Sequence, residues 1–299
     1  MCGFFVILKK KKISKRKFLS SANLLKHRGP SNEKFYENSK LISKFFRLTI
    51  RDHSNESNQP IHSEDGRYTL FFNGEIYNTK ELINKYNLSK KFDIKSDTKI
   101  LFYLLCKFNT KILNELKGMF SIFFFDNLKE TSLLVRDRFG MKPLYFALYE
   151  KCIIISSELK PILKIINKKP KINNKAVFQF FIEGKMDHNE ETFFKKINSV
   201  KPGYFIKIKN NKISKYKYWE LMNKKDKHSF HKSVIELKKK LSQSIKEHLI
   251  SDEKIGYFLS GGEDSSYLVY SSKKKVNAFT YEFKDNLKNK NNEIINAKK

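Results

Sequence analysis

The sequence predicts an α+β domain followed by the opening of an α/β unit, and three observations carry that reading. Short apolar stretches of strand length, such as Phe4 to Leu8 and Gly118 to Asp126, recur between turn residues through the first two hundred positions, with helical segments interspersed. From Ser233 to Leu249 the apolar residues Val234, Leu237, Leu241, Ile245 and Leu249 then recur at helical spacing. Directly afterwards an apolar strand, Ile255 to Leu259, runs into Ser260-Gly261-Gly262-Glu263-Asp264-Ser265-Ser266 and a further helix, the start of a β-α-β unit. At 299 residues the chain has length for two domains, each with its own core.

In chain order, Cys2 to Leu8 reads as a short buried strand, and Lys9 to Lys17 as a basic, solvated stretch. Lys26 to Pro30 is a polar turn punctuated by Gly29-Pro30, in which His27 reads as a structural hydrogen-bonding residue rather than a base. Phe45 to Ile50 is a strand carrying Arg47, and Arg51 to Asp65 a polar loop. Tyr68 to Phe72 is a strand running into Asn73-Gly74, a dipeptide that by itself signals a hairpin turn. Thr79 to Tyr86 is helical, and Ser96-Asp97-Thr98 is an N-cap signature for a helix through Phe108. Gly118 to Asp126 and Ser132 to Arg136 form a strand pair, Asp137 to Pro143 a turn, and Tyr145 to Leu148 and Ile153 to Ser156 two more strands. Helices follow at Glu158 to Ile166 and Val177 to Glu183, separated by a Lys/Pro/Asn-rich linker. Tyr204 to Lys209 is the last strand of the first domain; Tyr267 to Ser272 and Ala278 to Phe283 are the last helix and strand of the second.

Composition narrows the function classes. The net charge of +30 invites a nucleic-acid reading, yet 54 of the 61 basic residues are lysine. Lysine, asparagine, isoleucine and phenylalanine all have A/T-rich codons, so base composition explains the charge better than selection for phosphate contacts. Base readout also favours the bidentate fork of arginine. No specific nucleic-acid partner is expected. No apolar run approaches the ~20 residues of a membrane span, so no membrane partner is expected either. Cys2, Cys106 and Cys152 offer neither a disulfide framework nor metal-ligand spacing, which suits a reducing cytoplasm.

Two stretches carry chemistry. With a small residue at position 2, removal of Met1 would leave Cys2 as the N-terminus, a thiol and a free α-amine on one residue. An α-amine titrates near ~7.7–8.0, low enough to take the proton of the thiol. In the second stretch, Gly261 and Gly262 let backbone approach a phosphate and the following helix start points N–H groups at it. Ser260, Ser265 and Ser266 add hydroxyls, and Asp264 is placed to hold Mg2+ against phosphate oxygens. Nucleotide binding is the expectation for this loop.

The ordered set Met1-Cys2-Gly3, His27-Arg28-Gly29-Pro30, Asn73 to Asn78 (Asn-Gly-Glu-Ile-Tyr-Asn), Ser96-Asp97-Thr98, Arg136 to Tyr145 (Arg-Asp-Arg-Phe-Gly-Met-Lys-Pro-Leu-Tyr), Ser156 to Lys160 (Ser-Ser-Glu-Leu-Lys) and the Ser-Gly-Gly loop resembles the glutamine-hydrolysing asparagine synthetases. The resemblance runs from Met1 to the end of the chain. It implies an N-terminal-nucleophile glutaminase, an αββα sandwich of antiparallel sheets, over residues 2–210. It further implies a connecting segment over 211–232 and the first part of an ATP-pyrophosphatase-type synthetase domain over 233–299.

What the resemblance implies for residues is specific. Cys2 attacks the side-chain amide of glutamine; Asn73 and the Gly74 N–H match the oxyanion hole, which replaces the hairpin reading. Arg47 matches the clamp on the substrate α-carboxylate, with Leu48, Thr49 and Ile50 continuing the glutamine-binding stretch. Glu75 and Asp97 match the groups that bind the α-amino group. In the second domain Ser260, Gly261, Gly262, Asp264 and Ser265 match the pyrophosphate cradle, Phe258 and Leu259 the adenine contacts, and Tyr281 stands with them. The implied reaction is ATP-dependent, Mg2+-assisted amidation of aspartate, with ammonia arriving through an internal tunnel and asparagine, AMP and pyrophosphate as products.

Three departures stand out. Glu263 replaces the family's usual leucine beside the phosphate loop; Phe4 and Phe5 replace small residues and are expected to crowd the nucleophile's strand. The chain also ends at Lys299, where the family's synthetase domain is only beginning, which reads as a truncated or split product or one half of a two-chain enzyme. Partner expectations are therefore a second chain completing the synthetase and a homodimer. Two alternatives stay open at this stage: amidation of another carboxylate, such as a polysaccharide sugar acid, and a remnant that binds glutamine without turnover.

Overall fold

The computed structural model describes residues 1–9, 13–89, 92–93, 96–166, 170–186, 188–210, 212–222, 228–272, 276–282 and 297. These fall into two units, Met1–Met222 and Asn223–Lys299.

The first unit begins with β1 (Gly3–Leu8), apolar from Phe4 onward because both its faces are covered. Phe4 and Val6 enter one core cluster, Phe5 and Ile7 another. The sequence reading leaves Lys9 to Lys17 solvated; in the structure Ser14 caps α1 (Lys15–Ala22), its Oγ accepting from the Lys17 N–H at 3.4 Å. One buried stripe of Phe18, Ser21 and Ala22 beside exposed basic residues is enough to seat that helix. A 3₁₀ turn, Asn23–Arg28, leads to β2 (Asn32–Glu37) and β3 (Leu41–Arg47). β2 escapes the sequence reading because it is a polar edge strand, paired only with β3. β3 starts four residues ahead of its predicted start and stops at Arg47, so residues 48–50 are loop rather than strand.

Next come β4 (Ile61–His62) and β5 (Tyr68–Ile76). β5 does not turn at Asn73-Gly74: it continues against β6 (Gly118–Asp126), with Asn73 opposite Ser121 and Gly74 opposite Phe120. Glycine is required there by close approach. A Cβ on Gly74 would lie 2.1 Å from the Met119 carbonyl oxygen and 2.6 Å from Phe120 Cα. Between β5 and β6 lie α2 (Thr79–Lys85) and α3 (Asp97–Phe108). Ser96 does occupy the N-cap position of α3, but its hydroxyl donates to Asp52 Oδ2 at 2.5 Å instead of capping the helix.

The chain continues through β7 (Thr131–Arg136), β8 (Tyr145–Tyr149), β9 (Cys152–Ser156), α4 (Leu159–Ile166), α5 (Asn174–Glu183), β10 (Ile197–Ser199), β11 (Tyr204–Lys209) and β12 (Lys212–Lys217). Two six-stranded antiparallel sheets result, in the orders β10-β8-β9-β1-β3-β2 and β12-β11-β7-β6-β5-β4. Their facing surfaces form a core of Phe4, Phe45, Phe71, Phe123, Ile155 and Ile206, among others. The outer face of the first sheet is covered by α1 and α4 through Phe18, Ala22 and Ile162; that of the second is covered by α2 and α3 through Leu82, Leu101 and Leu104. This is the αββα sandwich. Phe4 and Phe5 do not crowd it, since strand alternation sends them to opposite faces. Phe4 lies 6.0 Å from Phe71 between the sheets, and Phe5 stacks on Phe18 at 5.1 Å beneath α1.

The second unit has α6 (Phe230–His248), β13 (Gly256–Phe258), α7 (Glu263–Ser271) and β14 (Asn277–Phe279). β13 and β14 pair in parallel, Tyr257 opposite Ala278. α7 starts at Glu263, straight after the glycines, four residues ahead of the predicted start. The strand read as buried is not: Phe258 is 89% exposed, because among the described residues the pair has no layer over that side chain. The predicted end of the last strand, Phe283, lies outside the described residues.

Phe71 is fully buried and meets Phe4, Phe45 and Phe123 at ring distances of 6.0, 6.5 and 5.8 Å. Phe71→Ala should lower the unfolding free energy of the first unit by about 3–5 kcal/mol, read by urea denaturation.

Candidate active site

The N-terminal end of β1 is fixed from three sides. It pairs with β3 and β9, the Ser157 Oγ accepts from the Phe4 N–H at 3.1 Å, and the Ser157 N–H donates to the Phe4 carbonyl at 3.0 Å. Arg28, buried, donates from Nε to the Cys2 carbonyl at 3.0 Å and from Nη1 to Glu158 Oε1 at 2.9 Å. His27 Nε2 lies 2.9 Å from the same carboxylate oxygen, the structural role read for it from sequence. The His-Arg-Gly-Pro and Ser-Ser-Glu-Leu-Lys stretches, 130 residues apart at Arg28 and Glu158, thus meet behind the first residues of the chain. Burial pushes the Glu158 carboxyl up, but the hydrogen bonds from Arg28 and His27 outweigh it and hold it below its ordinary range.

Cys2 faces a cavity of about 40 Å³ whose wall includes Arg47, Asn73, Gly74, Glu75 and Asp97. Cys2 lies directly ahead of β1, Arg47 is the end of β3, and Asn73 to Glu75 come from the end of β5. Asp97 comes from the first turn of α3. The site therefore spans both sheets at one end of the sandwich. Met1 lines the same cavity.

The Cys2 sulfur sits 3.4 Å from the Leu48 N–H and 3.5 Å from the Leu48 carbonyl oxygen. Burial pushes the thiol's pKa up, and the Leu48 backbone, the terminal amine and Arg47 pull against that shift. Burial also lowers the pKa of the terminal amine on Met1. Asn73 is buried, its amide Nδ2 3.5 Å from Ser121 Oγ. Ile50 lines the cavity; Thr49 does not, its N–H donating to Ser31 Oγ at 3.2 Å.

Arg47 lines the cavity while anchoring the loop after it. Its Nη1 donates to the Ser54 carbonyl at 2.9 Å and Asn58 Oδ1 at 2.7 Å, and its Nη2 to the Asp52 carbonyl. Asp52 is the loop's second anchor. Burial pushes its carboxyl up, but bonds from Ser54, Ser57 and Ser96 hold it well below the usual carboxylate range. Gln59 sews the far end of the loop to β5, accepting from the Phe72 N–H at 2.5 Å and donating to the Phe72 carbonyl at 2.9 Å.

Asp97 is buried against a charge the sequence reading missed. Arg51 Nη1 lies 3.9 Å from Asp97 Oδ2 and 2.9 Å from the Ile76 carbonyl oxygen, with both side chains under 8% exposed. The Ile76 N–H donates to the same carboxylate at 3.1 Å. Burial drives the Asp97 pKa up, and Arg51 is the largest influence opposing it. Nothing in the residue spacing marked Arg51, because a lone arginine at the head of a polar loop reads as solvated. Arg28, Glu158 and Lys142 were also missed as parts of the site, although each lies in a stretch that carried the resemblance.

In the second unit the Ser260 and Ser265 hydroxyls lie 3.0 Å apart, and Ser265 Oγ also donates to the Gly262 carbonyl at 3.1 Å. These bonds fold the loop at the start of α7. Glu263 and Asp264 are both exposed in its first turn, so Glu263 faces solvent. The Leu259 N–H donates to the Phe279 carbonyl at 2.9 Å, and Tyr281 is exposed. Among the described residues no group of three or more His, Cys, Asp or Glu clusters as a metal cage. A magnesium ion carried in on phosphates needs only one or two carboxylates, and Asp264 fits that donor set. No helix among the described residues is long and apolar enough to cross a membrane.

The fold and the cysteine at its edge define an N-terminal-nucleophile amidotransferase. Residues 1–219 match the family model described as glutamine amidotransferase domain, and residues 236–299 match asparagine synthase. The chain belongs to the glutamine amidotransferase family. It is 32% identical to the putative glutamine-hydrolysing asparagine synthetase 2 of Methanocaldococcus jannaschii, over 90% of this chain and 56% of that protein. It is 31% identical to asparagine synthetase 2 of Bacillus subtilis, over 87% of this chain and 36% of that one. The chain thus spans about half the length, or less, of these relatives. Among solved structures, the glutamine phosphoribosylpyrophosphate amidotransferase of Bacillus subtilis shares the fold. Its TM-score is 0.52 at 15% identity, over 93% of this chain and 65% of that one.

Arg51→Met should leave Asp97 buried without its counter-charge. The loss should be about 3–5 kcal/mol of unfolding free energy at pH 7. The sign with pH follows from the raised Asp97 value. The unfolded carboxyl, near ~3.9, ionises first as pH rises, so folded stability falls from there up to the folded value. The variant's deficit should therefore shrink at pH 4, as read by chemical denaturation at both pH values.

Proposed function

We propose that this chain carries the glutamine-hydrolysing half of an asparagine-forming ligase. The observation that supports this most is that Cys2, Asn73 and Gly74, drawn from the ends of β1 and β5, meet in one cavity with Arg47, Glu75 and Asp97. Met1 lines that cavity, so its removal both frees space for an amino acid and moves the basic amine onto Cys2.

In this reading the Cys2 α-amine draws the proton from the thiol, and the sulfur attacks the side-chain amide carbon of glutamine. The amide oxygen becomes negative and is met by the Asn73 Nδ2 and the Gly74 N–H, donors held in place before charge develops. The C–N bond then breaks, ammonia leaves with the proton taken from sulfur, and water cleaves the thioester to glutamate. Arg47 receives the α-carboxylate in exchange for one of its loop acceptors, while Glu75 and Asp97 take the α-ammonium. Loop 48–58 is thereby coupled to substrate, since the arginine that holds it is also the one that binds.

The ammonia amidates the side-chain carboxylate of aspartate after its activation by ATP, giving asparagine, AMP and pyrophosphate. Relatives named as glutamine-hydrolysing asparagine synthetases support aspartate as acceptor. Ser260, Gly261, Gly262 and Ser265 receive the pyrophosphate at the start of α7, with Phe258, Leu259 and Tyr281 toward the adenine. Asp264 would hold the Mg2+ that accompanies the phosphates, whose charge the ion offsets.

Cys2→Ala should abolish ammonia release from glutamine, and undiminished release from that variant would refute the reading. Asn73→Ala should lower kcat by about 10²- to 10³-fold, or about 2.7–4 kcal/mol, with the thioester route intact. The acceptor is tested separately: with the rest of the synthetase domain, ATP, Mg2+ and ammonia supplied, mass spectrometry should detect asparagine from aspartate and no amide from sugar acids.

A further inference from the structure

The turn after β7 consumes two buried charges without any evident return to the fold's core. Asp137, 1% exposed, accepts four backbone N–H groups: Phe120 at 3.2 Å and Lys142 at 2.9 Å on Oδ2, Phe139 at 3.1 Å and Met141 at 2.9 Å on Oδ1. Arg136, 3% exposed, donates to the carbonyls of Gly140 at 2.8 Å, Lys142 at 3.1 Å and Val200 at 3.0 Å. Gly140 has φ +70°, and a Cβ there would lie 2.8 Å from Pro202 and 3.1 Å from the Arg136 guanidinium. These bonds hold the turn in one shape. That shape exposes Phe139 and Met141 and buries the lysine between Met141 and Pro143.

Lys142 is 6% exposed and lines the cavity that holds Cys2. Among the described residues its ammonium has no hydrogen bond or ion pair, whereas the other cations around the cavity are committed. Arg28 is bound to Glu158, Arg47 to the loop acceptors, and Arg51 to the Ile76 carbonyl and Asp97. A lysine whose stem is buried and whose ammonium reaches only a small cavity is costly to ionise, and such groups concentrate where their charge acts on chemistry.

We propose that Lys142 is a positioning residue for the cysteine, its ammonium on the cavity wall acting through the sulfur and terminal amine to favour thiolate and neutral amine. The proposal rests on the glutaminase reading. Opposite charge nearby favours an ionised thiol, and like charge nearby disfavours a protonated amine, so one cation serves both partners of the attack. Burial first, and then Lys142 and Arg28, lower the pKa of the terminal amine on Met1; burial and Arg28 depress that of Lys142, while Glu75 and then Cys2 pull it back up. The other charges facing the sulfur are Arg47 from β3, Glu75 from β5, Asp97 from α3, Arg51 from the loop and Arg28 behind the strand. Glu75 and Asp97 act in the opposite sense, so the removal of one cation is felt.

The test is the pH dependence of Cys2 alkylation by iodoacetamide in the full chain, read on the N-terminal peptide by mass spectrometry. Lys142→Met should raise the alkylation midpoint by about one pH unit, and Lys142→Arg should restore it. Lys142→Gln, polar and of similar length, repeats the test should the methionine variant fail to fold. The acid limb of kcat/KM for glutamine should move upward in parallel. An unmoved midpoint in a variant with the wild-type thermal midpoint overturns the proposal. Alkylation needs no turnover, so a shifted midpoint without glutamine hydrolysis would overturn the functional reading and leave the role of Lys142 standing.

Discussion

A chain terminus ordinarily frays, and this site needs its second residue held still. That requirement organises the first unit. β1 is an interior strand of its sheet, hydrogen-bonded on both sides, so the chain starts in the core rather than at an edge. The last bonds of the ladder are supplemented by Ser157 and Arg28, and Arg28 is itself held by Glu158. The position of Cys2 is therefore set by residues from three parts of the chain, whose bonds are shielded from competition by water.

The same logic extends to charge. Several ionised groups surround one small cavity, an arrangement that is stable only when each has compensation. Arg47 is offset by loop carbonyls, Asp97 by Arg51 and two local donors, and Asp52 by serine hydroxyls. The loop over residues 48–58 is consequently built from polar bonds rather than apolar packing. It carries its own internal order and is tied to the substrate cavity through Arg47. Lys142 joins this set from a turn fixed by Asp137 and Arg136, with Glu75 the foremost carboxylate acting on it.

Much of this was legible from residues alone. Gly118 to Asp126 and Tyr204 to Lys209 were read with the observed limits, since an interior strand between two packed faces needs a continuous apolar run or firm alternation. Edge strands lack that pressure. β2 and β12, each paired on one side, carry lysine, asparagine and glutamate and went unread. α1 was hidden by the lysines on its solvent side. Asn73-Gly74 shows the opposite failure: a strong local turn signal overridden by a neighbouring strand that supplies the pairing the turn would have ended.

By itself the sequence determined the types of group available: a cysteine able to become N-terminal, an ordered series of polar motifs, and a glycine-serine loop between strand and helix. These follow from local chemistry, which short stretches encode completely. Only the tertiary structure decided which of these groups share a cavity and which charges neutralise one another. Arg51 beside Asp97, Arg28 against Glu158 and Lys142 beside Cys2 join residues 46, 130 and 140 positions apart. Pairings of that kind arise from the packing of two sheets, and no periodicity in the chain records them.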